Sequence, residues 1–138
     1  MASAISDWLE KALLDHTFNV SAFTASTLFY MALFSGTPGE DGLNNEIAGS
    51  GTYGGYVRRE VKFANAATLG IGQIVSSSAC EFVAATDNWG PITHAGIFDS
   101  AITAAGNCMF KGSLLNARTV NTGETFRFAS GDVKASLG

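Results

Sequence analysis

Charge is what this sequence has least of. Its 138 residues include eight Lys or Arg and twelve Asp or Glu, for a formal net charge of −4. Contacts to phosphate need clustered Lys and Arg, and the sole basic cluster, Arg58, Arg59 and Lys62, has Glu60 inside it. Nucleic acid is therefore excluded as a partner. Cysteine is nearly absent too. Cys80 and Cys108 cannot define a disulfide framework or a zinc site, which ordinarily takes four ligands. Both sit at alternating positions beside Phe82 and Phe110 and read as small buried hydrophobes. No apolar run approaches the ~18 residues of a membrane span, so no membrane insertion is expected. The N-terminal residues lack the basic region that opens a secretory signal. The signatures G-x-S-x-G, H-E-x-x-H and C-x-x-C are all missing. What remains is a single domain over residues 1–138, expected to hold no cofactor and no metal and to perform no catalysis.

The residues that are present divide into one helix and many strands. In "SDWLEKALLDHTF" the apolar positions Ile5, Trp8, Leu9, Ala12 and Leu13 follow helical spacing, which predicts an amphipathic helix over 5–18. Ser6 is placed to cap it, Asp7 and Glu10 suit its positive end, and His16 suits its negative end. Asp7–Lys11 and Lys11–Asp15 form i,i+4 pairs on the outer face. About a dozen residues make a helix that is marginal alone, so its Trp8–Leu9–Leu13 stripe must dock on something.

After Phe18 the period drops to two. "STLFYMALFS" is apolar on both faces, as a central strand is. "GYVRREVKF" alternates with Val57, Val61 and Phe63 on one face and Tyr56, Arg58, Glu60 and Lys62 on the other. "GQIVSSSACEFVAAT" places Cys80, Phe82 and Ala84 together. "PITHAGIF", "NCMFKGSLL", "ETFRFAS" and "DVKASL" follow, separated by Gly, Ser and Asn turns. The two prolines fall in a loop (Pro38) and at a strand start (Pro91), where a missing N–H does least harm. Seven to eight short strands at this spacing predict a mainly β fold, an antiparallel β-sandwich or small barrel carrying one N-terminal amphipathic α-helix.

Residues 36–55 are different. They hold seven glycines with Glu40, Asp41 and Glu46, a long loop for a compact domain. Calcium held by Asp41, Asn44 and Glu46 is one reading, but the spacing of an EF-hand is missing. A phosphate cradle fails because the Gly-Gly leads into a strand instead of a helix. The favoured reading is a contact arm that orders against a neighbouring subunit.

The dozen residues "NWGPITHAGIFD" are the richest in chemistry. Strand alternation sets Ile92, His94, Gly96 and Phe98 on one face and Thr93, Ala95, Ile97 and Asp99 on the other. His94 and Asp99 then cannot form a dyad. His94 reads as a satisfied half-buried residue, Asp99 as a turn former and Trp89 as core.

The blocks "WLEKALLDHTF", "TLFYMALFSGTPGEDGLNNEI", "GGYVRREVKF", "WGPITHAGIFDS" and "RTVNTGETFRFASGDVKASL", in this order, resemble a family of small tailed-bacteriophage structural proteins commonly labelled phage tail fibre protein. "WGPITHAGIFDS" is the most specific of the five. Ala95 departs from the family, where Phe is frequent, and Arg59-Glu60 replaces a less charged pair. The resemblance implies a virion protein with no catalytic residues to carry over. The expected partners are copies of the chain itself, as a trimer, and other phage virion proteins of capsid or tail. Helix 5–18 and loop 36–55 would make the contacts, through Trp8, Leu9, Leu13, Glu40, Asp41, Asn44, Asn45, Tyr53, Tyr56 and Arg58. Three further readings stay open: a capsid decoration (cement) protein, a carbohydrate-binding module stacking sugars on Tyr53, Tyr56 and Trp89, and a small hydrolase using His94.

Overall fold

The computed structural model describes residues 4–47, 54–64 and 72–137. Among them, in chain order, are β1 (Ala4–Ile5), α1 (Asp7–Thr17), β2 (Phe29–Phe34), β3 (Arg59–Val61), β4 (Gln73–Val75), β5 (Cys80–Glu81), β6 (Gly90–Phe98), β7 (Cys108–Val120), β8 (Arg127–Phe128) and β9 (Lys134–Ser136). One five-stranded sheet runs β1-β7-β6-β2-β3, and two ribbons, β4-β9 and β5-β8, face it. Every pairing is antiparallel. The expected mainly β architecture with one N-terminal helix is what forms.

The helix is two residues shorter at its start than the spacing predicts, because Ile5 pairs with Phe110 as a strand residue. Ser6 then performs three tasks. Its Oγ accepts from Leu9 N–H at 3.2 Å, its hydroxyl donates to Cys108 O, and its N–H donates to Met109 O at 3.0 Å. The N-cap is thereby also the joint that fixes α1 to β7. At the other end Asn19 takes the left-handed conformation (φ 59°), its N–H reaching His16 O and the Val20 N–H reaching Asp15 O. That is a Schellman stop, with Asn in the place usually held by Gly. Leu9 is buried and Leu13 half-buried against the sheet. Neither Asp7–Lys11 nor Lys11–Asp15 closes into an ion pair.

The main core lies between the five-stranded sheet and the ribbons. Met31, Leu33, Ile92, Ala95, Ile97 and Val120 from the sheet meet Cys80, Phe82, Phe126, Phe128 and Ala135 from the other layer. Tyr56 stacks on Phe82, Phe82 meets Phe126 edge-on, and Phe126 meets Phe128, with centroids 5.1–6.1 Å apart. Each such ring, fully buried, contributes about 1.5–3 kcal/mol from water exclusion. β2 is buried on both faces as expected: Met31 and Leu33 enter the main core, while Ala32 and Phe34 join Phe98 and Cys108 in a smaller cluster on the sheet's other side. Residue Gly42 of the 36–55 loop lies directly over Cys108 there.

Three alternation readings are corrected. In β6 the register shifts between Ile92 and His94, where residues 114–117 of β7 oppose Thr93 alone. That bulge turns Ile92 onto the side of Ala95 and Ile97, away from His94 and Phe98. The stretch 73–85 is two strands in different ribbons, because buried Ser76 turns the corner, its Oγ accepting from Gly131 and Val133 N–H; Ala85 goes inward where Ala84 was expected. Before β3, Tyr56 and Arg58 point in and Val57 points out, the phase reversing by Val61.

Gly42 has φ +75°, and a Cβ there would lie 2.5 Å from Cys108 Cβ; Gly123 has φ +85° with nothing within 4 Å. Gly123→Ala should lose about 1–2 kcal/mol from backbone strain alone, and Gly42→Ala should lose more, an additional ~1–3 kcal/mol from overpacking. Urea unfolding of the two variants measures the difference; equal losses would mean that the loop does not pack on Cys108.

Candidate functional site

The His94–Asp99 pair is not a site. His94 Nδ1 lies 2.8 Å from Thr93 Oγ1, while Asp99 accepts from Asn107 N–H at 2.7 Å and from its side-chain amide at 3.0 Å. Asp99 ties the two ends of the β6–β7 connection, as a turn former does. Trp89 is buried, its indole N–H donating to Gly54 O at 2.9 Å.

The strongest polar constellation is one the sequence did not announce. Glu46, Tyr56 and Arg58 are all buried. Glu46 Oε1 accepts from Arg58 Nε at 2.7 Å and from the Tyr56 hydroxyl at 2.9 Å; Oε2 accepts from the other arm of the guanidinium at 2.7 Å and from Ala104 N–H at 2.8 Å. Arg58 also donates to the carbonyls of Ser100 and Ala105 at 2.9 and 2.8 Å and lies 3.9 Å over the Phe98 ring. The Tyr56 hydroxyl accepts in turn from Leu33 N–H at 3.0 Å. Each group has partners on both sides, and none of their polar atoms is left unbonded. This is a bolt joining three segments.

The bolt corrects two expected contact residues. Tyr56 and Arg58 face inward because Glu46 offers the charge and acceptors a buried guanidinium and phenol require. Leu9 is a third correction, buried under α1. Trp8 remains 38% exposed, its ring edge-on to Phe23, and Leu13 is half-buried. Glu40, Asp41, Asn44 and Asn45 are on the surface. Even so, much of this loop folds on its own chain: Glu40 pairs with Lys111 at 3.2 Å, Asp41 accepts from Leu43 N–H at 3.0 Å, and Asn45 donates to Thr37 O at 2.9 Å. Tyr53 lies outside the described residues. Since Glu46 turns inward, Asp41, Asn44 and Glu46 do not converge on a cation, and among the described residues no three His, Cys, Asp or Glu do so.

Apolar side chains that the sequence reading did not single out as contacts stand on the surface. Leu14 is 58% exposed, Phe18 73%, Val20 75% and Leu115 90%. The signals were present: Phe18 and Val20 bracket the helix stop, and adjacent Leu114 and Leu115 cannot both enter one core from a single strand. A cleft of about 240 Å³ between α1 and the sheet, lined by Leu9, Leu13, Phe23, Phe29, Phe63 and neighbours, has no titratable side chain among the described residues. It can hold apolar matter, and it offers no acid, base or nucleophile.

A β block with an internal polar bolt and outward apolar side chains fits an architectural part. Residues 4–136 match the family described as Podophage GP4 fiber I protein gp80. The chain belongs to this family. It is a small phage virion structural protein of the tail-fibre type, and its place is the virion. Among curated proteins no significant match is found. The chain's "WGPITHAGIFDS" block supplies β6 with its bulge, the Phe98 under Arg58 and the Asp99 tie, so its residues serve the fibre protein's frame.

Removing the guanidinium would leave the Glu46 carboxylate buried and unpaired. Arg58→Met should destabilise the fibre protein by about 3–5 kcal/mol, and adding Glu46→Leu should recover part of that loss. Chemical denaturation of the single and double variants is the check; strictly additive losses would show that the two side chains do not act together.

Burial also pushes the Cys80 thiol up from 9.0 to about 11, against a smaller lowering by Arg59, and the Cys108 thiol from 9.0 to about 12, against Lys111 and Arg58. The Tyr56 phenol is raised too, by burial first and then by the Glu46 charge. A raised acid keeps in the fold a proton that the unfolded chain releases. Its stabilisation is complete below the unfolded value and fades as pH rises. The urea midpoint should therefore hold below pH 9 and fall steadily toward pH 12. Thiol reagents at neutral pH should label neither cysteine until the chain unfolds.

Proposed function

We propose that this fibre-family chain is a non-enzymatic subunit that works by assembly, joining copies of itself as a trimer and touching neighbouring virion proteins. The observation that carries the reading is the exposure of Leu14, Phe18, Val20 and Leu115 on a chain whose polar bolt is wholly internal. Large apolar side chains standing out from a rigid frame are anchors for association, where a few residues supply most of the affinity. The frame supplies rigidity, and α1 with residues 36–47 supplies relief on its surface.

The carbohydrate-binding reading loses its platform at two of three positions, since Tyr56 and Trp89 are buried with 0% and 5% exposure. His94 meets Thr93 Oγ1 and Asp99 is bonded to Asn107, so the His94–Asp99 pairing lends the hydrolase reading no support. Capsid decoration uses the same contact chemistry at a different address, and the test of place separates it from a fibre role.

Light scattering on the purified chain should give a trimer mass at high concentration; a strict monomer there overturns self-association. Gold-labelled antibody against the chain should mark fibres on intact virions, and label spread over the head lattice would favour decoration instead.

A further inference from the structure

We infer that copies of this chain join head to tail, the outer face of α1 in one copy lying in the cleft between β7 and the β8–β9 side of the next. The inference rests on the self-association proposed above and names its two surfaces.

The cleft measures about 420 Å³ and is lined by Leu114, Phe126, Arg118, Arg127 and Lys134, with the exposed Leu115 standing at its edge. It exists because the bulge at 114–117 throws Leu115 outward from the longest strand, and bulges commonly re-aim a side chain at a contact. Arg118 is held upright, donating to Thr125 O at 2.9 Å and lying 5.5 Å from the Phe126 ring. Neither Arg118 nor Lys134 has an ion-pair partner among the described residues, while Arg127 shares Glu81 at 3.7 Å in the open. One carboxylate, Asp132, stands on the rim and is taken up by Ala129 N–H at 3.1 Å. In a chain of net charge −4, this is a locally basic slot with an apolar floor.

The outer face of α1 has the opposite character. Asp7, Glu10 and Asp15 stand there against Lys11 alone, and none is in an ion pair among the described residues. Leu14 and Phe18, one turn apart, are its exposed apolar anchors. A helix with apolar anchors at i and i+4 and acids beside them is the complement of a basic-rimmed apolar groove. The acidic 36–47 segment fits less well, because Glu40 already holds Lys111 and Asp41 already holds Leu43 N–H.

The helix cannot fill its own cleft. Ser6 fixes it at Cys108 and Met109, and its Leu9 is buried toward the sheet, which turns Leu14 and Phe18 outward, away from their own chain. The contact is thus between copies and between unlike surfaces, the arrangement that closes into a ring when the rotation allows.

Leu14→Ser and Leu115→Ser change exposed side chains and should leave the circular dichroism spectrum unaltered. In sedimentation velocity each variant alone should run as a monomer where the parent assembles, its dissociation constant raised about tenfold or more. Mixed together they should form a one-to-one pair, because each retains the surface the other has lost. Glu10→Lys and Lys134→Glu should behave the same way, and the double variant should regain assembly. A parent that assembles with all four single variants unchanged would place the interface elsewhere and overturn this inference while leaving self-association intact. A parent that stays monomeric would overturn both.

Discussion

Glu46 and Arg58 hold the fold by a single charge-assisted pair, and the order of the chain explains why so much depends on it. Glu46 closes the 36–47 segment, Arg58 precedes β3, and the carbonyls Arg58 grips belong to the β6–β7 connection. The first two are twelve residues apart and the third lies 42 residues or more beyond Arg58, and none has enough regular structure to hold itself. A buried ion pair is a weak source of net stability, because taking both ions out of water costs about what their attraction returns. Its value here is selective. Only one placement of the three segments satisfies four acceptor contacts on the carboxylate and four donor contacts from the guanidinium, so wrong packings leave a charge stranded.

That arrangement also explains what could be read from the residues and what could not. The helix, its Ser6 cap, the doubly buried β2, the inert cysteines and the turn role of Asp99 follow from local rules, and local rules sufficed for them. The bolt did not follow, because nothing in "LNNEI" or "YVRRE" says that an acid and a base twelve residues apart will be buried together. Arg58 in an alternating stretch reads as solvent-facing; only the approach of Glu46 makes inward rotation affordable, and with it the phase of Tyr56 and Val57 reverses. The β6 faces failed for a similar reason. A bulge is a property of the pair of strands, and four residues of β7 opposite Thr93 alone leave no mark on "PITHAGIF" itself.

Which side chains stand on the surface was the least legible. Position in a loop or on a helix stripe selected Leu9, Tyr56 and Arg58, which the fold takes inside. The exposed apolar residues Phe18, Val20 and Leu115 owe their placement to a helix stop and a bulge. Each is a local device that overrides the usual rule that large apolar side chains go in.

This inversion bears on what a fibre subunit must be. A chain with only eight Lys or Arg and twelve Asp or Glu in 138 residues has few surface charges with which to specify a neighbour in the proposed assembly. Specificity must then come from the shape of apolar relief, edged by the few charges that remain. Relief of that kind works only on a frame that does not yield. The bolt provides this by pinning the hairpin connection to the sheet edge, and the Ser6 joint does the same for the helix. A flexible frame with the same surface would lose its choice of partner to entropy, because each contact would first have to order the side chains that make it. Rigidity inside and apolar relief outside are therefore one design, in which the buried pair serves the surface it never touches.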